Sequence, residues 1–189
     1  MKRITIISPL RLAAAALAAS AIATGTLAAT TAHYFDGSAQ RTITLDTSQV
    51  AIITPIPEAG GVQSRSIGAS GSNSPAPLVQ FQPASAPMAR SADTHVSPVY
   101  REGTSPAGRL MALPGGVVVK FNPDWSDAQV RAWAQAKGLT VAQRLGTTDN
   151  WYLIATAPGS AALELANRLQ AGGEVLAATP NWWKQTAAR

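Results

Sequence analysis

Residues 115–183 read GGVVVKFNPDWSDAQVRAWAQAKGLTVAQRLGTTDNWYLIATAPGSAALELANRLQAGGEVLAATPNWW, and the periodicities in this stretch decide the fold. Val117, Val118, Val119, Lys120 and Phe121 form a β-prone run closed by the Asn122-Pro123 turn. Ser126 then opens a helix, with Gln129 three positions on in a capping-box pattern. Val130, Trp133, Ala134 and Lys137 fall at helical spacing, the lysine laying its stem along the apolar face. Gly138 suits a left-handed helix cap. Residues 140–145 predict a second strand, 146–150 a turn and 151–155 a third strand. Pro158-Gly159-Ser160 begins a second helix, in which Ala162, Leu165, Ala166 and Leu169 repeat at i, i+3, i+4 and i+7. Gly172-Gly173 stops it, residues 175–179 make a fourth strand, and Pro180 breaks that strand's ladder. The order is that of an α+β, ferredoxin-like βαββαβ domain with an antiparallel sheet. Two helices cover one sheet face; the other is left open, as an antiparallel sheet permits.

Upstream the pattern is weaker. Residues 34–54, YFDGSAQRTITLDTSQVAIIT, hold two β-prone runs around Asp46-Thr47-Ser48, which predicts a short β-hairpin that docks on something larger. Residues 55–114 hold nine of the thirteen prolines and few bulky apolar side chains. Such a composition does not bury enough apolar surface to offset its ordering entropy, so a disordered linker is expected here. All five tryptophans lie at or beyond position 125.

The first 28 residues have a basic start (Lys2, Arg3, Arg11), an apolar stretch and a small-residue exit, the pattern of a secretory signal peptide cleaved after Ala28 or Ala32. A spanning helix needs ~20 predominantly apolar residues, and the run from Leu12 falls short of that. The chain is therefore expected to be exported, to the periplasm or the extracellular space, with no membrane partner once the leader is gone. The formal charge of +5 drops to about +2 without the leader's three cations, too little for a nucleic-acid footprint. The absence of cysteine excludes disulfides, thiolate metal sites and a cysteine nucleophile.

No constellation for catalysis emerges. The two histidines, His33 and His95, both precede the folded stretch, so a serine-histidine-acid triad has no base there. Asp124, Asp127, Asp149, Glu164 and Glu174 sit at turns, caps and polar helix faces. No phosphate loop, metal-ligand spacing or dinucleotide fingerprint is present. The expectation is a protein that is no enzyme and takes no cofactor and no metal.

The segments GVVVKFNP (116–123), WYLI (151–154), ALELANRL (162–169) and GEVLAATPN (173–181) resemble successive blocks of subtilisin-type protease propeptides. Residues 34–54 are similar to the first strands of some exported subtilase precursors, which makes residues 55–114 look like an insertion. In that family a catalytic domain with aspartate, histidine and serine follows the propeptide, whereas this sequence stops at Arg189. The resemblance is thus to stand-alone external chaperones that fold and inhibit a separate exported serine protease, binding as monomers. It implies that the open sheet face packs on two helices of the protease. It also implies that the tail Pro180, Asn181, Trp182, Trp183, Lys184, Gln185, Thr186, Ala187, Ala188 and Arg189 binds the protease, with the segment after Pro180 in the substrate cleft. Strand alternation lets one of Trp182 and Trp183 close the core while the other faces the partner. Arg189 in the main specificity pocket would mark a protease that prefers basic residues. The alternatives are a non-inhibitory cell-envelope interaction module and an RNA-binding module. The latter needs basic and aromatic residues interleaved on the central strands, where only Lys120 and Arg144 supply charge.

Overall fold

A computed structural model describes residues 30–54, 77–87, 93–146 and 149–186. Among these the chain runs through β1 (Thr31–Asp36), β2 (Ala39–Thr54), β3 (Leu78–Pro83), β4 (His95–Glu102), β5 (Leu110–Ala112), β6 (Val117–Lys120), α1 (Asp127–Ala136), β7 (Val141–Leu145), β8 (Trp151–Ile154), α2 (Ser160–Gly172), β9 (Ala177–Pro180) and β10 (Trp183–Lys184). The leader expected over residues 1–28 lies outside the described residues, as do Ala187, Ala188 and Arg189. No helix among the described residues is long and apolar enough to cross a membrane.

The chain from Val117 to Pro180 folds as an antiparallel four-stranded sheet in the order β7-β8-β6-β9, with α1 joining β6 to β7 and α2 joining β8 to β9. Alternation sets its inner face: Val117, Val119, Tyr152 and Ile154 are buried. Against them α2 lays Ala162, Leu165, Ala166 and Leu169, the stripe visible in the sequence, together with Leu163. Helix α1 adds Val130 and Ala134, and Trp133 packs edge-on to Phe121 at 4.9 Å. The Ser126–Gln129 capping box is present: Gln129 N–H donates to Ser126 Oγ, and Ser126 N–H donates to Gln129 Oε1 at 2.8 Å. Asn150, buried at the start of β8, donates from Nδ2 to the carbonyls of Asn122 and Trp125 at 2.8 and 2.7 Å, fastening the loop before α1.

Two expectations are corrected by the remaining strands. Asp46-Thr47-Ser48 is no hairpin turn. The β1–β2 hairpin turns at Gly37-Ser38, where Gly37 takes the left-handed φ of +62°, and β2 runs on to Thr54. Asp46 uses its turn chemistry to close a bulge instead: it accepts from Ser48 N–H at 3.0 Å, from Ser48 Oγ, from Gln49 Nε2 and from Arg101. The register jumps from Asp46↔Val99 to Val50↔Pro98, leaving three residues of β2 unopposed. An odd number of extra residues reverses the side-chain phase. Ile43 and Leu45 therefore face the shared core, while Ala51 and Ile53 are buried on the opposite face.

The second correction concerns residues 55–114, expected to be a disordered linker. Residues 78–83, 95–102 and 110–112 are strands. Averaged composition conceals them because the prolines sit where no ladder N–H is needed: Pro83 ends the edge strand β3, Pro98 stands opposite the bulge, and Pro106 and Pro114 lie in connections. Residues 55–76 and 88–92 of that stretch lie outside the described residues.

β1 and β3 lie end to end on one side of the long β2, and the antiparallel six-stranded sheet continues β2-β4-β5-β10. One face contributes Tyr34, Ile43, Tyr100 and Met111 to the same core as β6, β8 and α2. The other face carries the fully buried Ala51, Ser97, Val99 and Ala112. Over these small side chains Phe81 of β3 and Trp183 of β10 meet at 5.2 Å between ring centroids, although their strands are four steps apart in the sheet. Flat, those strands would be ~19 Å apart, so the sheet is strongly curled. The core is thus continuous across both sheets rather than confined to residues 115–183.

Burial alone would raise the Asp46 carboxyl's pKa, but the hydrogen bonds from the Ser48 side chain and backbone and from Arg101 outweigh it and hold the group below the ordinary carboxylate range. A depressed folded-state pKa contributes stability that is complete above the unfolded value of about 3.9 and is lost as pH falls through the folded value. Asp46→Asn is expected to cost about 1–2 kcal/mol at pH 7, with the gap to the unsubstituted chain narrowing as acid protonates the Asp46 carboxylate. Urea titrations at pH 7 and through the acid range check this.

Candidate partner-binding surface

The inner face of the four-stranded sheet is sealed by the helices, and its outer face follows from the same alternation. Lys120 lies opposite Trp151, and Val118 lies opposite both Leu153 and Thr179; Gln143 continues the row beyond Leu153. All of these are half-buried. Val118, Trp151 and Leu153 belong to neither buried cluster of the protein. The result is an apolar strip with one cation, Lys120, whose Nζ stands 5.3 Å from the Trp151 ring centroid. A cation over an indole is worth about 0.5–1 kcal/mol at such a site, and it keeps the lysine flat along the sheet.

Gly116 shapes the end of this strip. It sits at φ +83°, and a Cβ there would come within 2.7 Å of Leu153 Cδ1. A larger residue would displace Leu153 from the face. Gly116 N–H donates to Thr156 Oγ1 at 2.8 Å, and its carbonyl accepts from Asn181 N–H at 3.0 Å. Asn181 Nδ2 donates to the Gly115 carbonyl at 3.1 Å. The two chain crossings between the sheets, β5 to β6 and β9 to β10, are thereby clamped together.

The structure places the predicted tail residues as follows. Pro180 ends β9 opposite Val117 and is buried. Trp182 is 6% exposed and contacts Tyr34 and Tyr100 at 5.2 and 5.8 Å between ring centroids. Its indole Nε1 is buried without a hydrogen-bond partner among the described residues, a penalty of about 1–3 kcal/mol. Trp183 is half-buried, and with Lys184 it forms β10 along β5. Lys184 Nζ reaches Tyr34 Oη at 3.1 Å and Glu102 at 3.7 Å. Gln185 N–H donates to the Leu110 carbonyl at 2.9 Å, and Gln185 and Thr186 are exposed. Residues 183–185 are thus paired in the six-stranded sheet rather than gathered with the open strip. Lys120, Val118, Trp151 and Leu153 were absent from the predicted binding residues. The period-two alternation that located their strands also marked them, since each is the neighbour of a buried residue. No group of three or more histidine, aspartate or glutamate side chains among the described residues is arranged to hold a metal ion.

Residues 101–181 match the family model of the fervidolysin N-terminal prodomain. This segment is similar to the propeptide of a subtilisin-type protease. No curated protein and no solved structure matches the chain. The match takes in the whole four-stranded sheet with its helices, and β5 besides, but not β1, β2 or β3. It begins at Arg101, so residues 101–114, expected to belong to an insertion, fall inside the propeptide-like segment. Residues 34–54, whose similarity to subtilase precursors was expected, fall outside it.

Gly116→Val is expected to cost about 2–4 kcal/mol, since it adds both backbone strain at positive φ and a clash with Leu153. Ser126→Ala should cost only about 1 kcal/mol. Denaturant midpoints of the two variants, measured side by side, check the ranking.

Proposed function

We propose that the chain is a non-catalytic, propeptide-like chaperone and inhibitor that acts on a separate exported subtilisin-type serine protease. The single observation that carries this reading is the propeptide match over residues 101–181, which coincides with the sheet whose outer strip is apolar and unshared with the core. A two-helix, one-sheet layer needs a second surface only where a partner supplies it, and Val118, Trp151 and Leu153 offer an aromatic anchor with aliphatic neighbours. We read the order β7-β8-β6-β9 with its two helical crossovers as ferredoxin-like.

In this reading the strip packs on surface helices of the protease, and Lys120 pairs with an acidic group on them. The tail beyond Trp182, from Trp183 to Arg189, enters the substrate cleft as an extended strand, where main-chain hydrogen bonds supply affinity and alternate side chains supply specificity. The expected leader over residues 1–28 places the encounter outside the cytoplasm, in the periplasm or the medium. The absence of a convergent acid, base and nucleophile in the sequence supports a regulatory rather than a catalytic role.

The test is a titration of the purified chain, lacking residues 1–28, against exported subtilases, one of them selective for basic residues, with residual peptidase activity as readout. Nanomolar to micromolar inhibition is expected. Trp151→Ala combined with Lys120→Glu should weaken it at least tenfold while circular dichroism stays unchanged, because both side chains are half-exposed. Inhibition of no protease, or inhibition indifferent to that double substitution, would sink the reading.

A further inference from the structure

The segment assigned to a protease cleft is already paired with this chain's own sheet, and one strand does not pair in both places. We infer that residues 183–186 act as a releasable strap: they pair with β5 in the resting protein, and only the released form is able to engage a partner. This inference rests on the proposed function and adds the regulation of its tail.

The contacts divide sharply between residues 182 and 183. On the near side, Asn181 clamps Gly115 and Gly116 with two hydrogen bonds, and Trp182 is gripped by Tyr34 and Tyr100. On the far side, β10 has two residues, in register Trp183↔Ala112 and Lys184↔Met111, extended by the bond from Gln185 N–H to Leu110. Trp183 is half-buried, and the ring it meets belongs to the edge strand β3. Lys184 shares Glu102 with Arg109, which holds that carboxylate more closely, at 2.8 Å against 3.7 Å. Short pairing, partly solvated contacts and a shared counter-ion are the marks of a segment that opens locally while the rest stays folded. Trp182 and Asn181 then serve as the fixed hinge.

Release uncovers an extended strand with an indole and an ammonium on opposite sides. The resting dock shows what chemistry such a strand prefers: an aromatic wall for Trp183, supplied by Phe81, and a hydroxyl with a carboxylate for Lys184, supplied by Tyr34 and Glu102. A partner that takes the strap must offer a free strand edge with an apolar pocket on one side and an acidic group on the other. The apparent affinity is the intrinsic affinity scaled by the fraction of chains whose strap is open.

The chain has no cysteine, so Leu110→Cys with Gln185→Cys creates one defined pair. Opposed residues of an antiparallel ladder that exchange hydrogen bonds lie about 5.5 Å apart between Cα atoms, within disulfide reach. The oxidised form locks the strap, and the reduced form is its own control. The first readout is limited trypsin cleavage after Lys184. The reduced form should be cut at that bond at least tenfold faster than the oxidised form, with circular dichroism still native. The second readout is inhibition of an exported subtilisin-type protease, expected to be at least tenfold tighter for the reduced form. Phe81→Ala, which loosens the dock without altering the tail, should speed the cut and tighten inhibition, and it tests the idea should the cysteine pair fold poorly. Cleavage after Lys184 only on global unfolding overturns the inference. So does equal inhibition by locked and unlocked chains, which leaves the proposed function standing. If neither form inhibits, the proposed function falls, and the trypsin difference alone then decides whether the strap stands.

Discussion

Trp182 wedged between Tyr34 and Tyr100 is the contact on which the rest of the protein depends. Its three rings come from β1, from β4 and from the crossing between β9 and β10, so one cluster ties the first and last described strands to the middle of the chain. Aromatic pairs of this geometry add about 0.5–1.5 kcal/mol each beyond the area they bury. They also convert two small sheets, each too thin to be stable alone, into one core with the residues of β6, β8 and α2. A cysteine-free protein of this size has no covalent substitute for that joint. The unpartnered indole N–H is accepted as the cost of placing so large a ring there.

The four-stranded sheet and its helices were legible in the sequence because each element there carries its own period. The valine run, the capping box at Ser126 and the i, i+3, i+4 stripe of α2 are local signals, and local signals survive in a one-dimensional reading. The six-stranded sheet was not legible, for two physical reasons. Its strands alternate around small side chains, Ala51, Ser97 and Ala112, which a curled sheet needs but which carry little hydrophobic signal. Its bulge reverses the phase of β2, so Ile43 and Ile53, both buried, point to opposite faces of one continuous strand. A reader following strict alternation must break the strand there, and Asp46-Thr47-Ser48 offers a turn to break it with.

The candidate surface divides in the same way. Trp151 and Lys120 follow from alternation once β6 and β8 are assigned, whereas the fate of residues 182–186 depends on β5, three residues inside a proline-rich stretch. Pairing between segments about seventy positions apart leaves no trace in the composition of either. The propeptide-like match ends at Asn181, so β10 and its pairing with β5 lie beyond it.

That long-range pairing also sets an order of events. Asn167 reaches back to the His33 carbonyl, and Lys184 reaches back to the Tyr34 hydroxyl. The first strand made is thus among the last to be satisfied. The loop-closure entropy of joining such distant segments must be met before their contacts contribute, which slows folding. During synthesis, β1 to β5 emerge with β5's outer edge unpaired and the Trp182 socket vacant. A chain cut short before Trp182 would keep its helices and lose the closure of the sheet that precedes them.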